Sequence, residues 1–339
     1  MSAAGVLVVL EQRAGGWNRM SFEALAAGQQ LAATLGVACS AAVLGSGQSL
    51  ATLPAELATR QLDRVYAVDH ALLEPYTADG FVTTLEQLVR HAAPAFVLFP
   101  HTYQVRDFAP ALATRFRQVL ISDVIAIHAG EPDPQQNQHR SPVFVRQLLQ
   151  GKLNADYRPT GHTAPCFLSI QAGTFRADAV LAGTAAIEPF SPQLAADHIR
   201  SRPGEPFRES AQTVDLSAAP LIVSVGRGIG EQENIPLVEE LAKALGAELA
   251  ASRPICDNGW LPMERQVGSS GQTVSPRLYL AIGISGAIQH LVGMKGSKSV
   301  IAINKDENAP IFEVADYGAV GDMFEIVPEL TKAILAAKS

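Results

Sequence analysis

The chain has 339 residues, 47% of them hydrophobic, and sets 26 basic against 33 acidic side chains for a net charge of −7. Such a length supports two cores, since single cores rarely grow past roughly 250 residues, and the acidic balance offers no basic surface to nucleic acid or anionic lipid. Three cysteines, Cys39, Cys166 and Cys256, stand far apart without CxxC or Cys/His spacing, so neither a zinc site nor a disulfide framework is indicated and a reducing compartment fits best.

The opening Met-Ser-Ala-Ala-Gly runs directly into Val6-Leu7-Val8-Val9-Leu10, without the basic start of a secretory signal or the Arg-rich pattern of a transit peptide. It reads as the first strand of a cytoplasmic protein. Val/Leu/Ile runs then alternate with helical patterns, giving strands near 5–11, 39–45, 64–69 and 95–101 and helices near 21–35, 81–92 and 106–116. Ser21 is expected to cap the first helix. The polar run Gly130–Gln138 reads as an exposed loop, and 143–152 and 165–171 as strands antiparallel to the rest, because the connection between them is too short and polar for a crossover helix.

Arg202-Pro203-Gly204-Glu205-Pro206 interrupts the periodicity. This divides the chain into an amino-terminal α/β domain (1–200), a linker (201–215) and a second α/β domain (216–339), each an open, mostly parallel sheet flanked by helices. The second domain shows strands at Leu221–Val225, Glu248–Ala251, Leu278–Ile282, Val300–Ile303 and Ala319–Val320, with helices at 235–246, 286–295 and 323–337. Its most apolar stretch, Leu278–Met294, is broken by Ser285, Gln289 and His290 and falls short of the ~20 apolar residues that span a bilayer, so no direct membrane insertion is expected.

The chemistry gathers where these strands end. Leu278–Ile282 enters the turn Gly283-Ile284-Ser285-Gly286 and then a helix, so free amides and the Ser285 hydroxyl make an anion site, with a purely structural turn as the alternative. His290 lies one turn into that helix, either as a satisfied helix histidine or as a group that stabilises negative charge developing on a reducible ring. Gly226-Arg227-Gly228 also closes a strand, but Glu231 stands where a G-x-G-x-x-G fingerprint needs its last glycine. Arg227 is then a phosphate partner or a solvated loop arginine. Arg253, ahead of Pro254, is expected to project from its strand's end. Asn304, Asp306 and Asp322 follow strands as ligand contacts or turn formers, and Gln266-Val267-Gly268-Ser269-Ser270-Gly271 offers hydroxyls and amides or is a flexible linker. All fall on the carboxyl side of one expected sheet, where a nucleotide-sized ligand binds.

The stretch from Gly283 to Asp322 contains Ile284-Ser285-Gly286-Ala287-Ile288-Gln289-His290, Ala302-Ile303-Asn304-Lys305-Asp306 and Ala315-Asp316-Tyr317-Gly318. It resembles the FAD domain of electron-transfer flavoprotein alpha subunits. Gly226-Arg227-Gly228, Ala251-Ser252-Arg253 and Gln266-Val267-Gly268 occur in the family's order, so the resemblance covers nearly all of 221–330. Ser122-Asp123-Val124-Ile125 and Val145-Arg146 carry a looser match in the first half.

The resemblance implies FAD bound in a doubly wound carboxyl-terminal domain. Arg227 and Ser252 would lie near its phosphates, and Gly283 and Ser285 through His290 (Gly286, Ala287, Ile288, Gln289) would hold the pyrophosphate and the ring's pyrimidine end. Asn304, Asp322 and Met323 would meet the adenosine portion. Arg253 would lie over the isoalloxazine and His290 would donate to its N1–O2 edge. The family usually reads Gln-Val-Gly-Gln-Thr-Gly where this chain has Ser269 and Ser270. Ser270 keeps a hydroxyl for the flavin N5 but loses the methyl that restricts its rotamer.

The resemblance also implies a beta-subunit partner, flavoprotein dehydrogenases such as acyl-CoA dehydrogenases as donors in fatty acid beta-oxidation, and a quinone-linked oxidoreductase as acceptor. A dedicated or electron-bifurcating member is the alternative within the family. From other classes come an NAD-dependent transferase or deacylase, for which His290 would have to be the base, and a nucleotide-binding scaffold that transfers nothing.

Overall fold

A computed structural model describes residues 5–132, 140–149, 153–159, 165–204, 216 and 219–338. The chain divides into two compact units, Met1–Pro206 and Phe207–Ser339. Of the expected linker, 205–215 lies outside the described residues. No described helix is long and apolar enough to cross a membrane.

In the first unit, β1 (Val6–Leu10) is buried along its whole length, as expected for a central strand covered on both faces. After the short pair β2 (Gln12–Arg13) and β3 (Gly16–Trp17) come α1 (Met20–Leu35), β4 (Cys39–Gly45), α2 (Leu53–Ala58), β5 (Arg64–Asp69), α3 (Ala78–Ala92), β6 (Phe96–Pro100) and α4 (Tyr103–Arg115). The chain then runs β7 (Leu120–Pro132), β8 (Arg140–Leu148), β9 (Leu153–Tyr157), β10 (Cys166–Ile170) and β11 (Ala186–Phe190). Among the described residues nine strands form one sheet in the order β11-β5-β4-β1-β6-β10-β7-β8-β9. Alternate side chains of β1 sort its faces. Val6, Val8 and Leu10 pack with α1 and α2, whereas Leu7 and Val9 pack with α3 and α4.

Three expectations change here, and one strand is new. Ser21 does not cap α1: the cap residue is Arg19, and the Ser21 hydroxyl accepts from Glu11 N (2.8 Å) and donates to Glu11 O (3.0 Å), tying the end of β1 to the helix. Gly130–Pro132 belongs to β7, while 133–138 lies outside the described residues. The strand β8 is antiparallel to β7 as expected, but β10 runs parallel to both β6 and β7. The sequence reading missed β9, which closes an antiparallel meander with β8 and lets the chain return for β10 to insert between β6 and β7. Asp123, with φ of 62°, donates its N–H to Ser169 Oγ (3.1 Å) close to the register shift between β7 and β10.

The second unit follows its sequence pattern closely. It comprises β12 (Leu221–Val225), α5 (Ile235–Leu245), β13 (Glu248–Ala251), α6 (Arg253–Asp257), β14 (Leu278–Ile282), α7 (Ile288–Met294), β15 (Val300–Asn304), β16 (Tyr317–Val320) and α8 (Met323–Lys338). All its strand pairs are parallel, in the order β13-β12-β14-β15-β16. Val223, Val225, Leu280 and Ile282 face α5 and α8. Ile222, Tyr279 and Ala281 face the opposite core with Val267, Ile284 and Met294.

Candidate functional site

From β12 the chain goes through α5 to β13 on one side, then crosses back so that β14, β15 and β16 follow on the other. In an open parallel sheet the ligand crevice lies at the carboxyl ends where the order reverses, here between β12 and β14. The turns leaving these two strands are the glycine-rich ones, and they touch. Gly226 N donates to Ile282 O (2.8 Å) and Gly228 N to Gly283 O (3.0 Å). A Cβ on Gly226 would sit 2.4 Å from Gly283 O, and Gly283 holds φ of 62°, so any larger residue would force the turns apart.

Backbone hydrogen bonds extend this border in both directions. Ser252 N donates to Val225 O (2.9 Å), Val267 N to Ala251 O (2.9 Å), Gly283 N to Ile303 O (2.9 Å) and Gly321 N to Asn304 O (3.0 Å). The carboxyl ends of five strands and the 266–270 loop thus form one edge.

The loop is not a flexible linker. Gly268 N donates to Gln272 O (3.2 Å), Ser269 N to Gln289 O (2.8 Å), and the buried Gln266 gives its side-chain amide to Ser270 Oγ (3.0 Å). Val267 belongs to the core, which leaves Ser269 and Ser270 as the loop's exposed side chains beside the start of α7.

Arg253 departs from expectation. It opens α6, with Pro254 in the first turn where a missing N–H costs nothing, and its side chain lies along that helix, Nε to Asp257 Oδ2 at 3.1 Å. With 67% of its side chain exposed, it is held only by a surface ion pair that a ligand can replace. Arg227 is exposed on the neighbouring turn, and Ser252 is buried with no hydroxyl cap to α6. Basic groups therefore mark the β12–β13 end of the edge, and Asp306 and Asp322 the β15–β16 end.

At that end the turn-forming readings hold alongside any binding role. Asn304 Nδ2 donates to Ile284 O (2.9 Å) and steadies the glycine turn, while its Oδ1 accepts from Asp306 N (3.0 Å). Asp322 Oδ1 accepts from Phe324 N (2.8 Å) at the start of α8. Met323 packs its side chain into the core under α8, so any part it has in the edge falls to its backbone. In between, Ser285, Ala287, Ile288 and Gln289 are exposed and Gly286 is buried against Ile311.

His290 points inward. It is 6% exposed, and its Nε2 lies 2.9 Å from the hydroxyl of the fully buried Tyr279. Burial pushes its pKa down to about 4, the Val267 backbone opposing this to a smaller extent, so the ring is neutral at neutral pH. Three buried atoms here lack a hydrogen-bond partner of ordinary geometry among the described residues, His290 Nδ1, Gln266 Oε1 and Ser224 Oγ. Such orphans are rare in folded proteins and are the kind of group a ligand satisfies.

Sequence reasoning missed Tyr279. The available signal was a single phenol inside an otherwise aliphatic strand, a polar handle that must find a partner. A depression of about 380 Å³ does exist elsewhere, at the amino ends of β1, β4 and β5 in the first unit. Its charged groups are already paired, Arg64 with Glu188 at 2.8 Å and His91 with Glu188 at 3.0 Å, and it lies on the side of the sheet away from the usual ligand edge.

Comparison with known proteins agrees with this geometry. The family model described as "Electron transfer flavoprotein domain" matches residues 6–195, and "Electron transfer flavoprotein FAD-binding domain" matches 215–295. The electron transfer flavoprotein subunit alpha of Bacillus subtilis is 36% identical over 96% of both chains. That of Mycobacterium tuberculosis is 36% identical over 99% of both, and "Protein FixB" of Clostridium saccharobutylicum is 35% identical over 98% of both.

Proposed function

The chain belongs to the electron transfer flavoprotein family as an alpha subunit with an FAD-binding domain, and on that premise we propose that it carries electrons from flavoprotein dehydrogenases to a quinone-linked oxidoreductase, as one half of a cytoplasmic heterodimer with a beta subunit. Acyl-CoA dehydrogenases of fatty acid beta-oxidation are the donors in this reading. The amino-terminal unit contributes none of the gathered residues and contacts the beta subunit.

The residues present fit FAD. The orphaned His290 Nδ1 and Gln266 Oε1 call for partners, and the touching glycine turns leave backbone amides at the strand switch. When bound, FAD supplies a ring that takes up and releases electrons. Amides of Ile284–Ala287 and the Ser285 hydroxyl would hold its pyrophosphate, with Arg227 and Ser252 beside them. Arg253, whose surface pair with Asp257 a ligand can replace, would bring a fixed positive charge to the ring, and Ser270, oriented by Gln266, would offer its hydroxyl to N5. His290 would offer a hydrogen at Nδ1 to the N1–O2 edge, and Asn304 and Asp322 would take the adenosine end.

The observation that carries the proposal is the unbroken backbone border joining five strand ends at the switch point. The rival deacylase reading needs His290 as a base, yet that ring is buried and already bonded to Tyr279. The test is to purify the chain with its beta subunit, titrate it with FAD and with NAD, and mix the loaded complex with a reduced acyl-CoA dehydrogenase. One FAD held per complex and bleaching of its absorbance by the dehydrogenase are expected. Binding of NAD in place of FAD would overturn the reading.

A further inference from the structure

We propose that Tyr279 is a positioning residue that fixes His290 in the tautomer with its hydrogen on Nδ1, so that a donor stands ready for the cofactor's ring. This rests on the reading of the edge as the FAD site. Tyr279 sits in the middle of β14 with no exposed surface, and a buried phenol must give its hydrogen to something. Its neighbour at 2.9 Å is His290 Nε2, and the direction of that bond decides the tautomer.

Geometry sets the direction. Ser224, on the same face of β12, holds its hydroxyl out of hydrogen-bond geometry, so it takes no hydrogen from the phenol. The imidazole Nε2 is then the acceptor left for the phenol hydrogen. A neutral imidazole carries one hydrogen, which then resides on Nδ1. That Nδ1 is buried and has no partner of ordinary geometry among the described residues, so its hydrogen stays available to a ligand.

The test uses the full chain in complex with its beta subunit, labelled with ¹⁵N at histidine. The His290 signals are assigned by their loss in His290→Gln. In the unaltered protein Nδ1 should give a pyrrole-like and Nε2 a pyridine-like shift. In Tyr279→Phe the excess of the Nδ1–H tautomer should fall about tenfold, the worth of one buried hydrogen bond, and the midpoint potential of bound FAD should drop. The shifts of the unaltered protein decide the matter if Tyr279→Phe does not fold. A merely structural tyrosine would lower thermal stability and leave the tautomer ratio in place, which would overturn the proposal, as would an Nε2–H ring in the unaltered protein. A complex that binds no FAD would defeat the proposed function instead, because the imidazole shifts are read with or without flavin.

Discussion

Single side chains at the edge divide into those that hold the scaffold and those free to act. Arg253 is of the second kind, since its partner Asp257 is a surface ion pair worth roughly 0.5 kcal/mol or less. Replacing it with Ala should leave the melting temperature almost unchanged while lowering the flavin midpoint potential, which spectroelectrochemistry would read. An unchanged potential would remove Arg253 from the ring. His290 is bound into the scaffold, and its protonation works against folding. Its pKa falls from the ordinary 6.5 to about 4 on folding, so between those values the unfolded chain binds more protons than the native one. Stability from this residue is complete above about pH 6.5 and is lost as the pH falls toward 4, to an extent of the order of 3 kcal/mol. Denaturant titrations from about pH 7 down to about pH 4.5 should show that slope, and His290→Gln should flatten it. The histidine was visible in the sequence but its surroundings were not. Tyr279 lies eleven positions upstream across a strand, a turn and a helix start, a separation that no periodicity marks.

Among elements, the strands of the second sheet were legible because buried parallel strands are near-continuous apolar runs, and Leu278–Ile282 is bounded by a glycine turn that stops it. Arg253 misled because Pro254 was read as enforcing extension, whereas a proline in the first helical turn is tolerated and α6 starts there. The direction of β10 was illegible for a different reason. Insertion of a strand between two earlier ones depends on which edges are free, and local sequence does not record that. The contact between the 266–270 loop and α7 is the element-level feature most open to test. A Cβ on Gly293 would fall 2.3 Å from Gly268 N, a backbone atom with little room to yield. Gly293→Ala should therefore cost about 1–3 kcal/mol in denaturant unfolding and weaken FAD binding with it, since the loop carrying Ser270 must move. Normal flavin affinity in a destabilised variant would show that the loop does not contribute to the site.

For the molecule as a whole, both units are mostly parallel sheets covered by helices on two faces, so architecture alone does not say which one binds the cofactor. What separates them is the edge: among the described residues, only the second unit brings glycine turns, two exposed arginines and buried unpaired polar atoms together at the strand switch. That contrast was readable before the fold was known, because the polar strand ends cluster after residue 221, and the parallel register then brings them to one side. The most direct measurement is amide hydrogen exchange of the complex with and without FAD. The account predicts slowed exchange in Gly226–Gly230, Ser252–Arg253, Gln266–Ser270 and Gly283–His290 when FAD is present. Protection confined to Met1–Pro206, or none along these four segments, would contradict it.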